Sequence, residues 1–101
     1  MIARIWHGAT TRGKSDEYYE YIMRTGVPAY RAINGNKGVY LLRNVTADKA
    51  EFLLISLWES YEAIQRFAGP EINKAVYFPE DRSFLIEMEP EVSHYEILVR
   101  P

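Results

Sequence analysis

The chain has 101 residues, of which 48% are hydrophobic and 26% are charged, a balance typical of one folded domain. It contains no cysteine, which excludes disulfides and thiolate metal sites and agrees with a reducing cytoplasm. The net charge is −2 and the twelve basic residues are scattered, so nucleic-acid binding through phosphate neutralisation is disfavoured. The N-terminal residues lack the apolar core of a signal peptide, and no apolar run is long enough to cross a bilayer.

The first third of the chain predicts a strand, an interrupted helix and a loop. Residues 2–10 alternate between two faces, which is typical of a strand, and Gly8 marks a bulge or a close approach of backbone or ligand. After Ser15, apolar and tyrosine side chains recur at helical spacing on one side. This helix is interrupted at 26–28, and residues 34–38 predict a loop because three of them tolerate positive φ.

The middle of the chain predicts a hairpin followed by a second helix. Residues 39–46 and 51–58 both have the composition of strands, and 47–49 is the turn between them. Ser60 can cap a helix over 61–67, because its hydroxyl can accept a hydrogen bond from the first helical turn.

The last third is less regular. Residues 71–78 are weakly helical, 79–82 predict a turn, 84–88 are ambiguous, and 92–99 alternate as a final strand. The element order is therefore β-α-β-β-α-β. It predicts a ferredoxin-like α+β fold, an antiparallel sheet with helices on one face, in a single domain over 1–101.

The third predicted strand is apolar on both faces. One face carries Phe52, Leu54 and Trp58, and the other carries Leu53, Ile55 and Leu57. One layer of helices covers only one face, and the other would expose a larger apolar patch than monomers usually tolerate. The pattern therefore predicts a homodimer in which a second copy covers the open face. The alternative is that the segment after Phe67 folds over it.

Several motifs resemble those of one known family. They are Gly35-Asn36-Lys37-Gly38-Val39-Tyr40, Leu57-Trp58-Glu59-Ser60, Ala63-Ile64, Phe67-Ala68-Gly69, Ala75-Val76-Tyr77-Phe78-Pro79-Glu80-Asp81, Phe84-Leu85 and Val92-Ser93-His94-Tyr95-Glu96. Over nearly its whole length the chain resembles the antibiotic biosynthesis monooxygenase-like proteins of the dimeric α/β barrel superfamily. The tryptophan-x-serine start of the second helix recurs across that superfamily.

The resemblance implies a homodimer whose two sheets pack into a shared barrel, with a pocket between sheet and helices in each protomer. Some relatives use molecular oxygen without metal or flavin to oxidise aromatic compounds such as anthrones to quinones. Others degrade haem with a first-strand asparagine, the tryptophan before helix two and a histidine further on. Trp58 matches that tryptophan, but the first strand offers His7 and the second helix has no histidine. Haem cleavage is therefore not expected.

His94 and Trp58 are the candidate catalytic residues. Histidine can take or give a proton near neutral pH, and a cofactor-free oxygenase needs a base that makes an electron-rich substrate anion. The alternative is a structural histidine bonded to the backbone or to an acid. Trp58 could wall an aromatic pocket or donate a hydrogen bond to a substrate oxygen, and its alternative role is core packing.

The candidate substrate-binding residues are Tyr30, Phe67, Tyr77, Arg82 and His7. Tyrosine suits a pocket that is mostly apolar with a few polar tips, and the irregular segment that carries Tyr77 and Arg82 could form a lid. A His7–His94 pair is geometrically possible if the first and last strands are neighbours. No metal site is expected, because two histidines without a ligand motif bind metal poorly.

Two hypotheses about function follow, and a third ranks below them. The first is a cofactor-independent monooxygenase acting on a small aromatic or quinone-like metabolite. The second is a non-catalytic small-ligand-binding or stress-related homodimer that uses the same pocket. An RNA-binding module shares the element order, but the third strand carries no lysine or arginine. An enclosed apolar cavity with His94 at its wall would favour the first hypothesis, and a filled core would remove it.

Overall fold

The computed structural model describes residues 1–101, and it contains five strands and four α-helices. The strands are β1 (Ile2–Thr10), β2 (Asn36–Val45), β3 (Ala50–Trp58), β4 (Leu85–Met88) and β5 (Ser93–Glu96). The helices are α1 (Ser15–Arg24), α2 (Gly26–Arg31), α3 (Tyr61–Ala68) and α4 (Asp81–Phe84), and a 3₁₀ turn spans Arg12–Lys14. None of the helices has the length and apolar character that crossing a bilayer requires.

The strands form one antiparallel sheet in the order β2-β3-β1-β4, and β5 also pairs with β1. β4 lies opposite the end of β1, with Met88 facing Gly8, and β5 lies opposite its start, with His94 facing Arg4. Pro90 lies between β4 and β5, at a point where the chain forms no hydrogen bond to β1, so its missing N–H removes none. β4 and β5 thus share the place of the single last strand that was predicted. The α+β ferredoxin-like arrangement is confirmed, and the sheet is open rather than closed into a barrel.

The core lies between the sheet and the helices. Alternate residues of β3 are buried, as the period of two requires, and Ala50, Phe52, Leu54 and Trp58 face the helices. The helices contribute their apolar sides: Tyr18, Tyr21, Ile22, Val27, Tyr30, Ala63 and Ile64. The helices thus lie on one face of the sheet, as predicted.

Local signals explain where the helices begin and end. The Ser60 hydroxyl accepts a hydrogen bond from the Ala63 amide at 3.1 Å, so the predicted cap of α3 is confirmed. The first helical region breaks at Thr25, whose hydroxyl donates to the Tyr21 carbonyl at 2.7 Å. α2 then starts at Gly26, with Pro28 in its first turn, where a missing N–H is tolerated.

The prediction of weak helix over 71–78 is wrong. The predicted turn over 79–82 is found at 79–80, and residues 81 and 82 belong to a helix instead. Residues 70–80 form an irregular segment, here called the strap, and α4 begins at Asp81. The backbone groups of the strap form hydrogen bonds to distant parts of the chain, and not to residues four positions away as in a helix. The Ala75 amide donates to the Pro90 carbonyl at 2.9 Å, and the Val92 amide donates to the Asn73 carbonyl at 2.8 Å. Long-range pairing therefore outweighs the weak helical pattern.

The final strand is shorter than the predicted 92–99. Its register places Glu96 opposite Ile2, and the next amide, that of Ile97, donates to the Met1 carbonyl at 2.9 Å. Beyond that point β1 offers no further partner, so Leu98 and Val99 are exposed. The ambiguous segment 84–88 resolves as β4 because the end of β1 supplies a partner for it.

The second face of the sheet carries no helix, and we call it the open face. It is lined by Ala3, Ile5, Tyr40, Leu42, Leu53, Ile55, Leu57 and Tyr95. The expectation that β3 is apolar on both faces is confirmed. The alternative in which the segment after Phe67 covers this face is wrong. The strap lies on the helix side, where the Ile72 carbonyl accepts from Arg4 and Tyr77 accepts from Trp6.

Candidate functional site

Three of the predicted site residues form one aromatic cluster under the helices. The rings of Tyr30 and Phe67 are stacked with centroids 4.2 Å apart, and Trp58 lies 6.0 Å from Phe67 and 6.2 Å from Tyr30. Each ring comes from a different element: α2, the end of β3 and α3. Trp58 is tilted by 57° to Tyr30 and by 37° to Phe67, so the three rings form an apolar aromatic wall made of one stacked pair and one tilted ring.

Trp58 is wholly buried, and its indole N–H is already used. It donates to the Ser56 hydroxyl at 2.8 Å, and Ser56 lies on the same face of β3 two residues earlier. The polar atom of the indole therefore has its partner inside the core. In this conformation Trp58 packs the wall with its ring and holds Ser56 with its nitrogen.

Arg4 is the site residue that sequence reasoning missed. It is 1% exposed, on the helix-facing side of β1, and its guanidinium donates to the carbonyls of Ile72 and Lys74. The guanidinium also lies over the Phe67 ring, 5.8 Å from the centroid, which is cation–π geometry. The sequence does contain one sign of this role. Arg4 stands between Ile2 and Trp6 on the same face of an alternating strand, at a position where an apolar residue is expected.

His94 contacts Arg4 across the β1–β5 pairing. The Nε2 atom of His94 lies 3.0 Å from Nη1 of Arg4. A guanidinium can only donate, so Nε2 accepts the hydrogen bond, and the neutral imidazole carries its proton on Nδ1. Burial lowers the pKa of His94, and the positive charge of Arg4 lowers it further. His94 is therefore a neutral base with its lone pair occupied by Arg4.

The outer side of His94 borders a shallow groove. Tyr61 packs edge-on against the imidazole with the ring centroids 6.2 Å apart. The groove is lined by Tyr61, Ile72, Asn73, Glu91, Val92, Ser93, His94 and Tyr95. His94 thus separates the buried guanidinium of Arg4 from solvent.

A small, partly open cavity of about 30 Å³ lies between the sheet, α1, α2 and the strap. That volume is on the order of one water molecule. Its lining residues are Trp6, Tyr18, Ile22, Thr25, Gly26, Tyr30, Leu54, Val76, Tyr77, Phe78 and Asp81. Tyr30 belongs to this lining and to the aromatic cluster, whereas His94 belongs to neither. The space between sheet and helices is therefore nearly filled while the strap is in place. The expected enclosed apolar cavity with His94 at its wall is not found in this conformation, so the monooxygenase hypothesis now depends on movement of the strap.

Hydrogen bonds from Trp6 and Tyr77 hold one end of the strap. The Trp6 indole donates to the Tyr77 hydroxyl at 3.1 Å, and Tyr77 donates in turn to the Glu89 carbonyl. A Cβ at Gly8 would lie 2.5 Å from the Trp6 ring, so the missing side chain lets this indole lie against β1. The close approach at Gly8 is thus that of a side chain, not of backbone or ligand as predicted, and the irregularity in β1 lies between Ala9 and Thr10.

Asp81 holds the same end of the strap through the next residue, Phe78. Its buried carboxylate accepts from the Tyr18 hydroxyl at 2.9 Å and from the Phe78 amide at 2.5 Å. Burial raises the pKa of Asp81, while the two donors oppose that rise. Burial and the adjacent carboxylate together raise the pKa of Tyr18. Tyr18 therefore stays a neutral donor at physiological pH.

The structure does not bring His7 or Arg82 to this site. Arg82 is exposed in α4. His7 lies on the open face, opposite Leu53, with its Nδ1 atom 2.9 Å from Glu89. The expected His7–His94 pair is wrong, because His94 lies opposite Arg4 on the other face of the sheet and the alternation of β1 separates the two.

His7 belongs instead to a charged cluster at the edge of the open face. The side chains of His7, Glu51 and Glu87 offer ligand atoms within 4.8 Å of one another. The Lys49 ammonium lies 2.5 Å from Glu87 and 3.3 Å from Glu51, and it lowers the pKa of Glu87. A cation of the protein itself, the Lys49 ammonium, therefore pairs with both carboxylates.

Several solved structures share this fold. MhuD, a haem degrader from Mycobacterium tuberculosis with two haems bound in its active site, has a TM-score of 0.64 and 22% identity over 100% of this chain and 99% of that chain. A point mutant of MhuD with two manganese protoporphyrin IX per active site has a TM-score of 0.61 and 21% identity, with 100% and 98% covered. A Bacillus cereus protein classed with the antibiotic biosynthesis monooxygenases has a TM-score of 0.69 and 16% identity, with 100% and 94% covered.

These identities establish a common fold and nothing finer. No curated protein matches the sequence significantly. The family model described as antibiotic biosynthesis monooxygenase matches residues 1–76, which include the first three strands, the first three helices and most of the strap. The motifs from the glycine loop before β2 to the tryptophan before α3 lie inside this match. The chain therefore belongs to the antibiotic biosynthesis monooxygenase family.

Proposed function

We propose that this protein is a cofactor-independent monooxygenase that acts on a small aromatic or quinone-like metabolite. The observation that carries the proposal is a neutral imidazole, His94, joined through the Arg4 guanidinium to the stacked wall of Tyr30 and Phe67. Family membership supports the reaction class, since the family is named for monooxygenases. The substrate class follows from the aromatic wall.

The proposed reaction requires only a base and an aromatic pocket that excludes water. His94 takes a proton from an acidic C–H or O–H group of the substrate, leaving an electron-rich anion. That anion reacts with molecular oxygen to give a peroxide. Collapse of the peroxide at a former CH₂ group leaves a carbonyl, with one oxygen atom retained and the other released as water. Substrate and oxygen therefore balance as R₂CH₂ + O₂ → R₂C=O + H₂O.

The aromatic residues position the substrate in this proposal. Trp58, Tyr30 and Phe67 form the wall, and Tyr77 closes the pocket from the strap. A cavity of about 30 Å³ has no room for an aromatic ring, so the strap must lift from Trp6 when substrate enters. Substrate binding is therefore coupled to opening and closing of the strap.

The haem chemistry of the MhuD neighbours is not part of the proposal. MhuD binds two haems in its active site, whereas the space between sheet and helices in this protein is nearly filled. α3 also carries no histidine that could hold iron.

We place the activity in a cytoplasmic homodimer formed by two open faces. Tyr40 is 57% exposed and Tyr95 is 60% exposed, and the apolar centre of the face lies between them. Burying such a surface is favourable by about 25 cal/mol per Å² of apolar area. A second copy presents a face of the same apolar character, which a two-fold interface can match with itself.

Oxygen uptake tests the proposal. Purified protein is mixed with a panel of anthrones and hydroquinones, and oxygen consumption is compared between wild type, His94→Ala and His7→Ala. We expect uptake by wild type and a loss of about 100-fold or more in His94→Ala, the size of a general-base contribution. The His7→Ala variant tests the second histidine in the same assay.

The other outcomes are equally informative. A folded wild type that binds these compounds without consuming oxygen supports the ligand-binding hypothesis and refutes the monooxygenase. Uptake that is unchanged in His94→Ala removes this histidine from the mechanism.

A further inference from the structure

The guanidinium of Arg4 is buried without a negative partner. None of the seven salt bridges in the structure involves it. Its acceptors are the carbonyls of Ile72 and Lys74 and the Nε2 atom of His94, which are all neutral. The Tyr30 hydroxyl also interacts with the guanidinium, and burial raises the pKa of Tyr30, so that this group is neutral too. The Nε atom of Arg4 is buried and has no acceptor at all. One full positive charge therefore lies inside the protein, compensated only by dipoles.

Such an arrangement is costly if packing is its only purpose. Arginine is almost never fully buried unless it is paired, because desolvating the charge is strongly unfavourable. A hydrophobic side chain of similar volume would fill the space under Phe67 without that cost. The unpaired charge therefore indicates a negatively charged group that is absent from the closed protein.

The surroundings define what kind of anion would fit. On one side of the guanidinium lies the ring of Phe67, itself stacked on Tyr30. The cross-strand neighbours of Arg4 are Ser56 in β3 and His94 in β5, both on the helix-facing side. An acidic group on a flat aromatic ligand that lies along the wall would face the two N–H donors of the planar guanidinium fork. Carboxylates and phenolates match that fork, since both place a charged oxygen in the plane of the ring system.

We infer that Arg4 is the anion-binding residue of the pocket, and that its ligand is an aromatic compound with a carboxylate or an ionised phenolic oxygen. This inference rests on the proposed function and narrows its substrate class. The ligand oxygens replace the carbonyls of Ile72 and Lys74, which belong to the strap. The anion also draws Nη1 away from His94, which frees the Nε2 lone pair to accept a proton. Arg4 thus couples substrate binding to the availability of the base.

A matched pair of ligands tests the inference without any turnover. The two compounds are anthraquinone-2-carboxylate and anthraquinone-2-carboxamide, which share a ring system and differ by one charge. Their affinities are measured by calorimetry at one salt concentration. We expect wild type to bind the carboxylate roughly tenfold to a hundredfold more tightly, the range for hydrogen bonds to a charged group.

Variants of Arg4 then show whether Arg4 causes the preference for the carboxylate over the carboxamide. Arg4→Gln keeps two donors without the charge, and we expect it to bind both compounds equally, at the affinity that wild type shows for the carboxamide. Arg4→Lys keeps the charge without the fork, and we expect it to retain part of the preference. Arg12→Gln removes an exposed arginine from the turn before α1 and should leave the preference intact. If Arg4→Gln does not fold, wild type and Arg4→Lys still give the comparison.

The outcomes separate this inference from the proposed function. Equal binding of both compounds by wild type overturns the anion-binding role while the aromatic pocket stands. A preference that survives unchanged in Arg4→Gln also overturns it, because another group must then supply the charge. If neither compound binds, the aromatic pocket itself is refuted, and the proposed function and the inference fail together.

Discussion

His94 is the side chain whose protonation the fold controls most directly. Burial and the neighbouring Arg4 charge both lower the pKa of His94. Below an unperturbed histidine pKa of about 6.5 the unfolded chain therefore binds a proton that the native protein resists. The free energy of unfolding is highest above that pH and falls as the pH drops toward the native pKa. Neutral His94 is thus a stable state of the closed site at physiological pH.

The substitution His94→Gln should remove this dependence. Glutamine offers a carbonyl oxygen to Arg4 and does not titrate. We expect the stability of His94→Gln relative to wild type to improve steadily as the pH falls from about 7 through 6.5. Urea unfolding at a series of pH values measures this difference, in which the other titrating groups cancel. Parallel pH profiles for the two proteins would contradict a lowered pKa at His94.

Between elements, the tightest backbone constraint lies in the turn from α2 to β2. Gly35 has a φ of 100°, and its carbonyl accepts from the Glu59 amide at 2.9 Å, which ties the turn to the start of α3. A Cβ at Gly35 would lie 2.5 Å from the Cβ of Ala63. The predicted loop at 34–38 is therefore correct only for residues 34–35, because 36–38 belong to β2. Gly38 does have positive φ, at the irregularity in the pairing of β2 with β3.

The substitution Gly35→Ala should destabilise the protein by about 2–4 kcal/mol, from backbone strain and overpacking together. Gly13→Ala is the matched control, since no atom lies within 4 Å of its added Cβ and its φ is not positive. It should be neutral or stabilising by up to about 1 kcal/mol. Denaturant unfolding of both variants measures the contrast. Equal effects would show that the turn accommodates a side chain at Gly35.

The strap is the element that sequence patterns describe least well. Its spacing of Ile72, Ala75 and Val76 favours a helix, yet its carbonyls and amides bond to Arg4 and to residues 90–92. These partners are separated from the strap by up to about seventy positions, so no local window contains them. The same distance explains why Arg4 escaped detection as a site residue. Its role depends on carbonyls at the far end of the chain.

At the scale of the whole molecule, the open face is the main unsatisfied surface. Ile55 lies at its centre, between Ile5 on β1 and Tyr40 on β2. Leu42 and Tyr40 are 46% and 57% exposed in the single chain. A second copy would bury this apolar sheet, and the helical layer with its site would remain on the outside of the pair.

The substitution Ile55→Lys should convert the proposed homodimer into a folded monomer. The side chain is only partly buried within one chain, so we expect the fold to persist. In a dimer, the two introduced lysines would be buried close to each other, and their like charges should prevent association. Gln65→Lys adds the same charge at an exposed position of α3 and should stay dimeric. Analytical ultracentrifugation distinguishes the two. A monomeric wild type at the highest soluble concentration would refute the dimer.

The sequence by itself determined the order of the first three strands and of the helices that connect and follow them, the two apolar faces of β3 and the cap at Ser60. Each of these follows from spacing or from contacts within a few residues, which a linear pattern records. Only the tertiary structure decided the path of the strap, the split of the last strand, the separation of His7 from His94 and the burial of Arg4. Those features depend on sheet register and on bonds between distant segments. The physical reason is that local propensity is weak there, and long-range partners supply the larger free energy.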